Sequence, residues 1–225
     1  PYNNISDNIK FFMSLGNHDY HELYYYNKFG SQIKYGIRSN KNNKKWFMPH
    51  NYYHFSKNNI DFFVIDTNID YMNENQINKQ LINIKKLMDK SNKKIKIMYG
   101  HHPLRSVGGH GNPNNKLYNF IKELIIYGNI DIYMSGHDHN KQLISIDLNN
   151  KLRHLIVCGT GGKSGAYDST AAAYPWVHVT WIHDYDSRFD AVFVHDVNGV
   201  LIDHSYSRFH AGTSWLEDRW YEYTP

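Results

Sequence analysis

Three short segments carry the residues of this chain whose types and spacing could do chemistry. They read Gly-Asn-His-Asp at residues 16–19, Gly-His-His-Pro at residues 100–103 and Gly-His-Asp-His at residues 136–139. Imidazole nitrogens and amide oxygens are neutral ligands that borderline transition metals accept. A bound metal can activate water and polarise a substrate, so the three segments together indicate metal-assisted chemistry.

Each segment follows an apolar run that predicts a buried strand. The three runs cover residues 11–15, 95–99 and 130–134. In an open α/β sheet, ligands bind beyond the carboxyl ends of the strands, so strand, glycine and ligand in that order are typical of such a site. One tetrapeptide of this kind would be weak evidence, whereas three of them at predicted strand ends are strong evidence.

Two amphipathic helices are predicted to lead into the second and third of these strands. Over residues 74–90, apolar side chains recur at helical spacing while lysines fill the far face, and Asn73 with Gln76 fits a capping box. A second helix is predicted over residues 115–127, with Gly128 as its C-terminal cap. Strands alternating with helices predict parallel pairing with helical crossovers.

The remaining strands are predicted from short apolar runs separated by turn residues. Residues 52–56 and 60–66 are expected to pair around an Asn-Asn turn, and residues 39–45 are expected to form a polar surface loop. The last third of the chain is predicted to be β, with Asn-Gly at residues 198–199 as its clearest hairpin turn. Its predicted strands cover residues 143–146, 152–157, 176–182, 191–195 and 200–206.

Length and composition bound the class of protein. The chain has 225 residues, enough for one hydrophobic core. Its composition, 41% hydrophobic and 20% charged, is typical of a globular protein. The net charge of +4 is mild and scattered, which favours a solvated basic surface over a nucleic-acid partner. No apolar run approaches the length of a membrane span. The single cysteine, Cys158, cannot form an intrachain disulfide and is expected to be a buried, unreactive thiol.

The histidine segments also carry a family resemblance, which extends from about residue 9 to about residue 165. Residues 100–111 and 135–140 are similar to the low-molecular-weight, tartrate-resistant type of purple acid phosphatase within the calcineurin-like metallophosphoesterase superfamily. The resemblance implies an α/β fold of two packed mixed sheets flanked by helices, a four-layer sandwich that here lacks its first strand–helix–strand unit. It also implies a single domain over residues 1–225, incomplete at its N-terminus, with residues 209–225 unassigned.

The resemblance further implies hydrolysis of phosphate monoesters at a dinuclear metal centre. Asn17, His101 and His137 would bind one metal and His139 the other, and the family combines Fe with Fe, Zn or Mn. Two metals in such a centre lie about 3.5–4 Å apart, where both can neutralise phosphoryl oxygens. A structural zinc site is the alternative for His137 and His139, but neither cysteine nor a second local ligand pair is at hand to complete one.

The resemblance implies that three more histidines contact the substrate. His18 and His110 would be catalytic, contacting the phosphate or protonating the leaving alkoxide, which suits a group that titrates near neutral pH. His102 would bind substrate as part of the pocket wall. The alternatives are an exposed loop residue for His18 and a flexible glycine-rich loop without a catalytic part for His110.

Several neighbours of these segments are expected to support the site without binding metal. Asp19 and Asp138 are predicted to orient the ring N–H groups of adjacent histidines. Asp66, in Ile-Asp-Thr, is likewise assigned support. The glycine-rich residues 159–162 lack the lysine and the following helix of a phosphate-binding loop, so a tight loop beside the site is predicted.

Two motifs of the family are absent from this sequence. In the family, one strand ends in an Asp that binds a metal, and the next ends in Gly-Asp, which bridges both metals, followed by an iron-binding Tyr. Only ten residues precede the strand before Gly16, which leaves no room for either motif. Two divalent cations about 3.5 Å apart repel by roughly 15–20 kcal/mol, which four neutral ligands offset poorly. The sequence is therefore either a fragment of a complete phosphatase or a natural relative that binds metal weakly or not at all.

The function implied is an acid phosphatase, and rival interpretations stay open. They are a phosphodiesterase or protein phosphatase of the same superfamily, a non-catalytic binding protein on this fold, and a protein with one structural metal. The expected partner is a small phosphomonoester or a phosphoprotein, with no nucleic acid or membrane. A secreted or vesicular location is expected from the resemblance alone.

Overall fold

The computed structural model divides into two compact units, the first ending at His101 and the second beginning at His102. The boundary falls inside the second histidine segment. The structure describes residues 9–20, 28–41, 45–106, 108–139, 141–159, 188–195 and 201–209.

In its described residues, the first unit contains five strands and two α-helices. Strands β1 and β2 pair in parallel, β3 and β4 form an antiparallel hairpin, and β4 pairs in parallel with β5. Helix α2 connects β4 to β5, which confirms the predicted helical crossover between parallel strands. In chain order the elements are β1 (Phe11–Phe12), α1 (Lys28–Lys41), β2 (Trp46–Phe47), β3 (Tyr53–Lys57), β4 (Ile60–Val64), α2 (Glu74–Asp89) and β5 (Ile95–Tyr99).

Helix α2 begins where its capping residues predict. The Asn73 side chain accepts a hydrogen bond from the Gln76 backbone at 3.0 Å, and the Gln76 side chain accepts one from the Asn73 backbone at 2.9 Å. Such a box satisfies two otherwise unpaired N–H groups and stabilises the helix by about 1 kcal/mol. The helix buries Ile77, Ile84 and Met88, as the spacing of its apolar residues predicts.

Aromatic side chains hold the strand that leads to the first histidine segment. Leu15 is buried in one cluster with Met48, Tyr53 and Val64. The Tyr53 hydroxyl donates to the Met13 carbonyl at 2.7 Å, so the chain before Gly16 is tied to strand β3. Burial raises the pKa of Tyr53 to about 12, which keeps this hydroxyl a donor at any physiological pH.

The second unit is also α/β. Helix α3 is capped by the Asn114 side chain, which accepts from the Leu117 backbone at 2.9 Å, and it ends at Gly128 as predicted. Strand β8 pairs in parallel with β6 and antiparallel with β7, while β9 and β10 form a separate antiparallel pair. Its elements are α3 (Asn115–Tyr127), β6 (Ile132–Ser135), β7 (Lys141–Asp147), β8 (Leu152–Cys158), β9 (Arg188–His195) and β10 (Leu201–Phe209).

The α/β class with mixed strand pairing is therefore confirmed, and two local expectations are wrong. Helix α1 was not predicted, and it includes residues 39–41 of the expected surface loop. Its sequence hides the helix because it contains two glycines, which disfavour helices. A Cβ on Gly36 would overlap the backbone of Met48, so this glycine lets the helix pack closely on the chain after β2.

Cys158 is exposed, not buried. Along β8 the side chains alternate, with Arg153, Leu155 and Val157 pointing into the unit, so Cys158 falls on the outward phase of the strand. The apolar run before the cysteine suggested burial, whereas the period of two decides it.

Some expectations lie outside the described residues, namely the strand over residues 176–182, the turn at 198–199 and the tail from 210 onwards. Among the helices that the structure does describe, none combines the length and apolar character that crossing a membrane requires.

Candidate functional site

In the first unit, the structure brings Asn17 and His101 together. Asn17 begins a short 3₁₀ turn, Asn17–Asp19, directly after β1 and its extension, and His101 follows Gly100 at the end of β5. The Asn17 Oδ1 and His101 Nε2 atoms lie 2.8 Å apart. Residues separated by 84 positions in the sequence thus present an oxygen and a nitrogen to the same point.

This pair of atoms fits a metal. Two ligand atoms at about 2.1 Å from one ion, and at right angles, lie about 3 Å from each other. The observed separation of 2.8 Å is that of a hydrogen bond between the His101 ring and the Asn17 amide oxygen, and it is also close to the spacing of two ligands on one ion. Both groups are neutral; imidazole nitrogen suits zinc and iron, and carbonyl oxygen suits manganese.

Two glycines make room for this arrangement. A Cβ on Gly16 would lie 3.0 Å from the Nδ1 and Cε1 atoms of the His101 ring. A Cβ on Gly100 would lie 2.6 Å from Cγ2 of Thr67. The glycines that open the first two segments therefore let a histidine ring or a neighbouring strand end approach the backbone closely.

A buried carboxylate, Asp66, supports the turn that contains Asn17 through hydrogen bonds. It accepts hydrogen bonds from the Tyr20 hydroxyl at 2.5 Å and from the Asn51 side chain at 3.0 Å. Asn68 donates to Asp66 at 2.9 Å and to the Leu15 carbonyl at 3.2 Å. These contacts connect the end of β4 to the residues on both sides of Asn17.

Burial has the largest effect on the pKa of Asp66. Burial raises the pKa of Asp66, and the hydrogen bonds from Tyr20, Asn51 and Asn68 lower it by less. Burial and the nearby Asp66 charge also raise the pKa of Tyr20, so its hydroxyl stays protonated and donates. The predicted supporting place of Asp66 agrees with these contacts.

His18 lies exposed on the same 3₁₀ turn. The prediction for its neighbour Asp19 is wrong, because the Asp19 carboxylate accepts from the Gly16 backbone at 2.8 Å and from Gln32 at 2.6 Å. Among the described residues, Asp19 therefore closes the turn and holds Gln32, and no histidine ring is its partner.

In the second unit, His137 has an unusual backbone. Its φ is +66°, and the Asp138 N–H donates to the Gly136 carbonyl at 2.8 Å across it. A three-residue turn with a positive φ at its centre is rare and strained, and such strain is concentrated at functional positions. The turn reverses the chain directly after β6, where the predicted ligands lie.

Four histidines of the second unit lie near one another. The His137 ring centroid is 4.6 Å from that of His102 and 4.4 Å from that of His110, and His110 is 5.9 Å from His139. The ligand nitrogens of His102 and His137 lie within 4.8 Å of each other, so the two rings form part of a candidate metal-binding cluster. The structure thus places a predicted substrate residue, His102, directly beside the predicted ligand His137.

The role predicted for Asp138 is also wrong. Its carboxylate is buried and accepts from the Ser106 hydroxyl and, at 2.8 Å, from the His110 backbone N–H. Within the described part of the chain it therefore bonds to a loop and to no imidazole ring. A Cβ on Gly159 would overlap the Asp138 carbonyl, which agrees with a tight loop at this point; residues 160–162 lie outside the described part. Sequence reasoning did not single out Ser106, although it lies in the glycine-rich motif.

Comparison with known proteins gives a consistent relationship. The family model for calcineurin-like phosphoesterases matches residues 1–141. Purple acid phosphatase 17 of Arabidopsis thaliana is 32% identical over 112 residues, covering 48% of this chain and 31% of that protein. Tartrate-resistant acid phosphatase type 5 of Rattus norvegicus is 26% identical over 157 residues, covering 61% and 45%. Glideosome-associated protein 50 of Plasmodium falciparum is 28% identical over 159 residues, covering 57% and 38%.

Solved structures show the same fold. GAP50, described as the anchor in the inner membrane complex of Plasmodium, matches with a TM-score of 0.56 and 24% identity, over 75% of this chain and 56% of that one. The purple acid phosphatase PPD1 of yellow lupin matches with a TM-score of 0.56 and 16% identity, over 86% and 39%. The chain spans about a third to a half of the length of the three curated relatives named above.

Proposed function

The chain belongs to the calcineurin-like phosphoesterase family, and we propose that it is a metal-dependent acid phosphatase acting on phosphate monoesters. The observation that carries the proposal is the approach of Asn17 Oδ1 to His101 Nε2 at coordination spacing, 2.8 Å. The similarity to purple acid phosphatases of plant and animal origin favours this branch of the family.

A dinuclear centre of Fe with Fe, Zn or Mn is proposed as the cofactor. Asn17, His101 and His137 would hold one metal and His139 the other, as the family motifs imply. When bound, the centre supplies Lewis-acid chemistry to the phosphoryl group. Since these four ligands are all neutral, they do not offset the repulsion between two metal ions. Tight binding therefore requires further anionic ligands or ions of lower charge.

The other histidines are proposed to handle the substrate. His18 and His110 are exposed in their units, so both rings are accessible to a phosphate ester. Their part is to hold the phosphate oxygens and to give a proton to the leaving alkoxide oxygen, for which imidazole is the suitable acid near neutral pH. His102, next to His137, is proposed to bind substrate from the pocket wall.

Substrate preference separates the phosphatase from its enzymatic rival. Rates would be measured with p-nitrophenyl phosphate and with bis-p-nitrophenyl phosphate, for the parent protein and for His101→Ala. A monoesterase hydrolyses the first substrate far faster, and the His101 variant loses that rate. A preference for the diester would replace the proposal with a phosphodiesterase. The natural substrate is proposed to be a small phosphomonoester or a phosphoprotein, in a secreted or vesicular location.

A second function is favoured by one comparison. GAP50, a relative of similar identity to the phosphatases, is described as an anchor, so a binding protein on a phosphoesterase fold is the competing proposal. The four neutral ligands agree with weak metal binding in such a protein. It predicts no bound metal and no hydrolysis of either substrate, in protein purified without chelator.

A further inference from the structure

We propose that Asp138 positions His110, by holding the loop at Ser106 and residues 108–112 in one conformation. Asp138 lies between two proposed metal ligands, yet its own contacts lead to this loop. The proposal deepens the proposed function, and it rests on that function only where His110 acts on substrate. The hold on the loop itself rests on contacts within the second unit.

The two carboxylate oxygens of Asp138 hold two different points of the loop. One oxygen accepts from the Ser106 hydroxyl, and the other accepts from the His110 backbone N–H at 2.8 Å. Asp138 and Ser106 are each 1% exposed, so water does not compete for these contacts. Hydrogen bonds to a charged acceptor contribute about 1.5–3 kcal/mol each, more than those between neutral groups.

The direction of the Ser106 contact follows from its other partners. The Ser106 oxygen accepts from the Gly108 backbone at 2.9 Å and from the Gln142 side chain at 3.0 Å. A serine hydroxyl has one donor and two acceptor positions, so both acceptor positions are used and its proton must go to Asp138. Gln142, on strand β7 and 1% exposed, thereby ties the same hydroxyl to the sheet.

The glycines of this loop make the contacts with Asp138 necessary, and they also allow the close approach that these contacts require. Gly108, Gly109 and Gly111 give the loop more backbone freedom than other residues would, so an ordered His110 needs external contacts. A Cβ on Gly108 would overlap the Asp138 carboxylate, so only glycine lets the loop come this close. The result is a fixed backbone under an exposed ring, 4.4 Å from the ring of His137.

Asp138→Asn is the variant that tests this inference. It keeps the size of the side chain but turns one acceptor oxygen into a donor, so Ser106 and His110 cannot both be held. Asp61→Asn is the matched control, because Asp61 is also buried and also accepts from serine hydroxyls, those of Ser56 and Ser91, in the first unit. A general loss of stability would affect both variants alike.

Amide hydrogen exchange, followed by NMR on the native protein, reads the loop directly. In Asp138→Asn the His110 amide should exchange about tenfold faster or more, while Asp61→Asn leaves it unchanged. If Asp138→Asn does not fold, Ser106→Ala gives the same test through the Gly108 amide. Unchanged protection of these amides, or an unprotected His110 amide in the parent protein, overturns the inference.

Kinetics then test whether the contacts of Asp138 with the loop affect catalysis through His110. Asp138→Asn should lower kcat about tenfold or more with little change in KM, and more for phenyl phosphate, whose leaving group needs a proton, than for p-nitrophenyl phosphate. In a His110→Ala background the same change should have no further effect. An equal loss on both substrates that adds to the loss from His110→Ala refutes positioning. A parent protein with protected amides and no phosphatase rate refutes the proposed function and leaves the loop contact standing.

Discussion

Replacing Gly16 by alanine should weaken metal binding without unfolding the protein. Gly16 has φ −98° and ψ 172°, an extended conformation that alanine also adopts, so the backbone is not strained by the change. The new Cβ would lie 3.0 Å from two atoms of the His101 ring, whereas carbon contacts are optimal at about 3.5–4.0 Å. The ring must therefore move by a few tenths of an ångström.

That movement matters because Asn17 and His101 are proposed to share one metal. Metal–ligand distances tolerate about 0.2 Å, and disturbing a residue that orients a ligand costs about 10–100-fold in metal affinity. We expect a loss of that size in competition with a chelator, with the free energy of unfolding of the metal-free protein changed by less than about 1 kcal/mol.

Gly30→Ala is the control for this prediction. Gly30 lies in helix α1, and a Cβ there would meet nothing within 4 Å. Alanine should stabilise the helix by about 0.5–1 kcal/mol and leave metal affinity alone. Unchanged metal affinity in Gly16→Ala would refute the assignment of His101 as a ligand held against Gly16.

Two further predictions concern stability. Burial raises the pKa of Asp61, but hydrogen bonds from Ser56, Ser91 and His54 lower it by more, so its folded pKa lies below the unfolded value. The stability that this carboxylate contributes is therefore complete above the unfolded pKa of about 3.9, and it is lost as the pH falls through the folded pKa. Asp61→Asn should lower stability at pH 7 by about 1–3 kcal/mol and reduce that acid dependence, as urea titrations at several pH values would show; an unaltered dependence contradicts this. His137→Gly should raise the stability of the metal-free protein by about 1 kcal/mol, because it relieves the positive φ, and should abolish binding of one metal; a destabilised variant in thermal unfolding would speak against stored strain.

Much of the fold follows from the sequence, because periodicity and capping are local. Helices α2 and α3 lie within one residue of their predicted ranges, and their caps at Asn73 and Gly128 are the residues that the patterns indicate. Helix α1 was missed because Gly36 serves packing against Met48, a contact that no local pattern contains.

The candidate site shows the same limit. Glycine followed by histidine at strand ends is visible in the sequence, and the approach of Asn17 to His101 agrees with the interpretation of those segments. The contacts of Asp138 were not visible, because an aspartate between two histidines suggests a ring partner. Its true partners, Ser106 and the His110 backbone, lie 32 and 28 residues away and are brought near by the fold.

Metal content of the native protein, measured by elemental analysis after purification without added metal or chelator, tests the central claim most directly. The account predicts close to two metals per chain, one of them iron, and a reduced content in both His101→Ala and His137→Ala. A protein that is folded yet contains no metal, or whose metal content is unaffected by both substitutions, would contradict the account and favour a binding protein on a phosphoesterase fold.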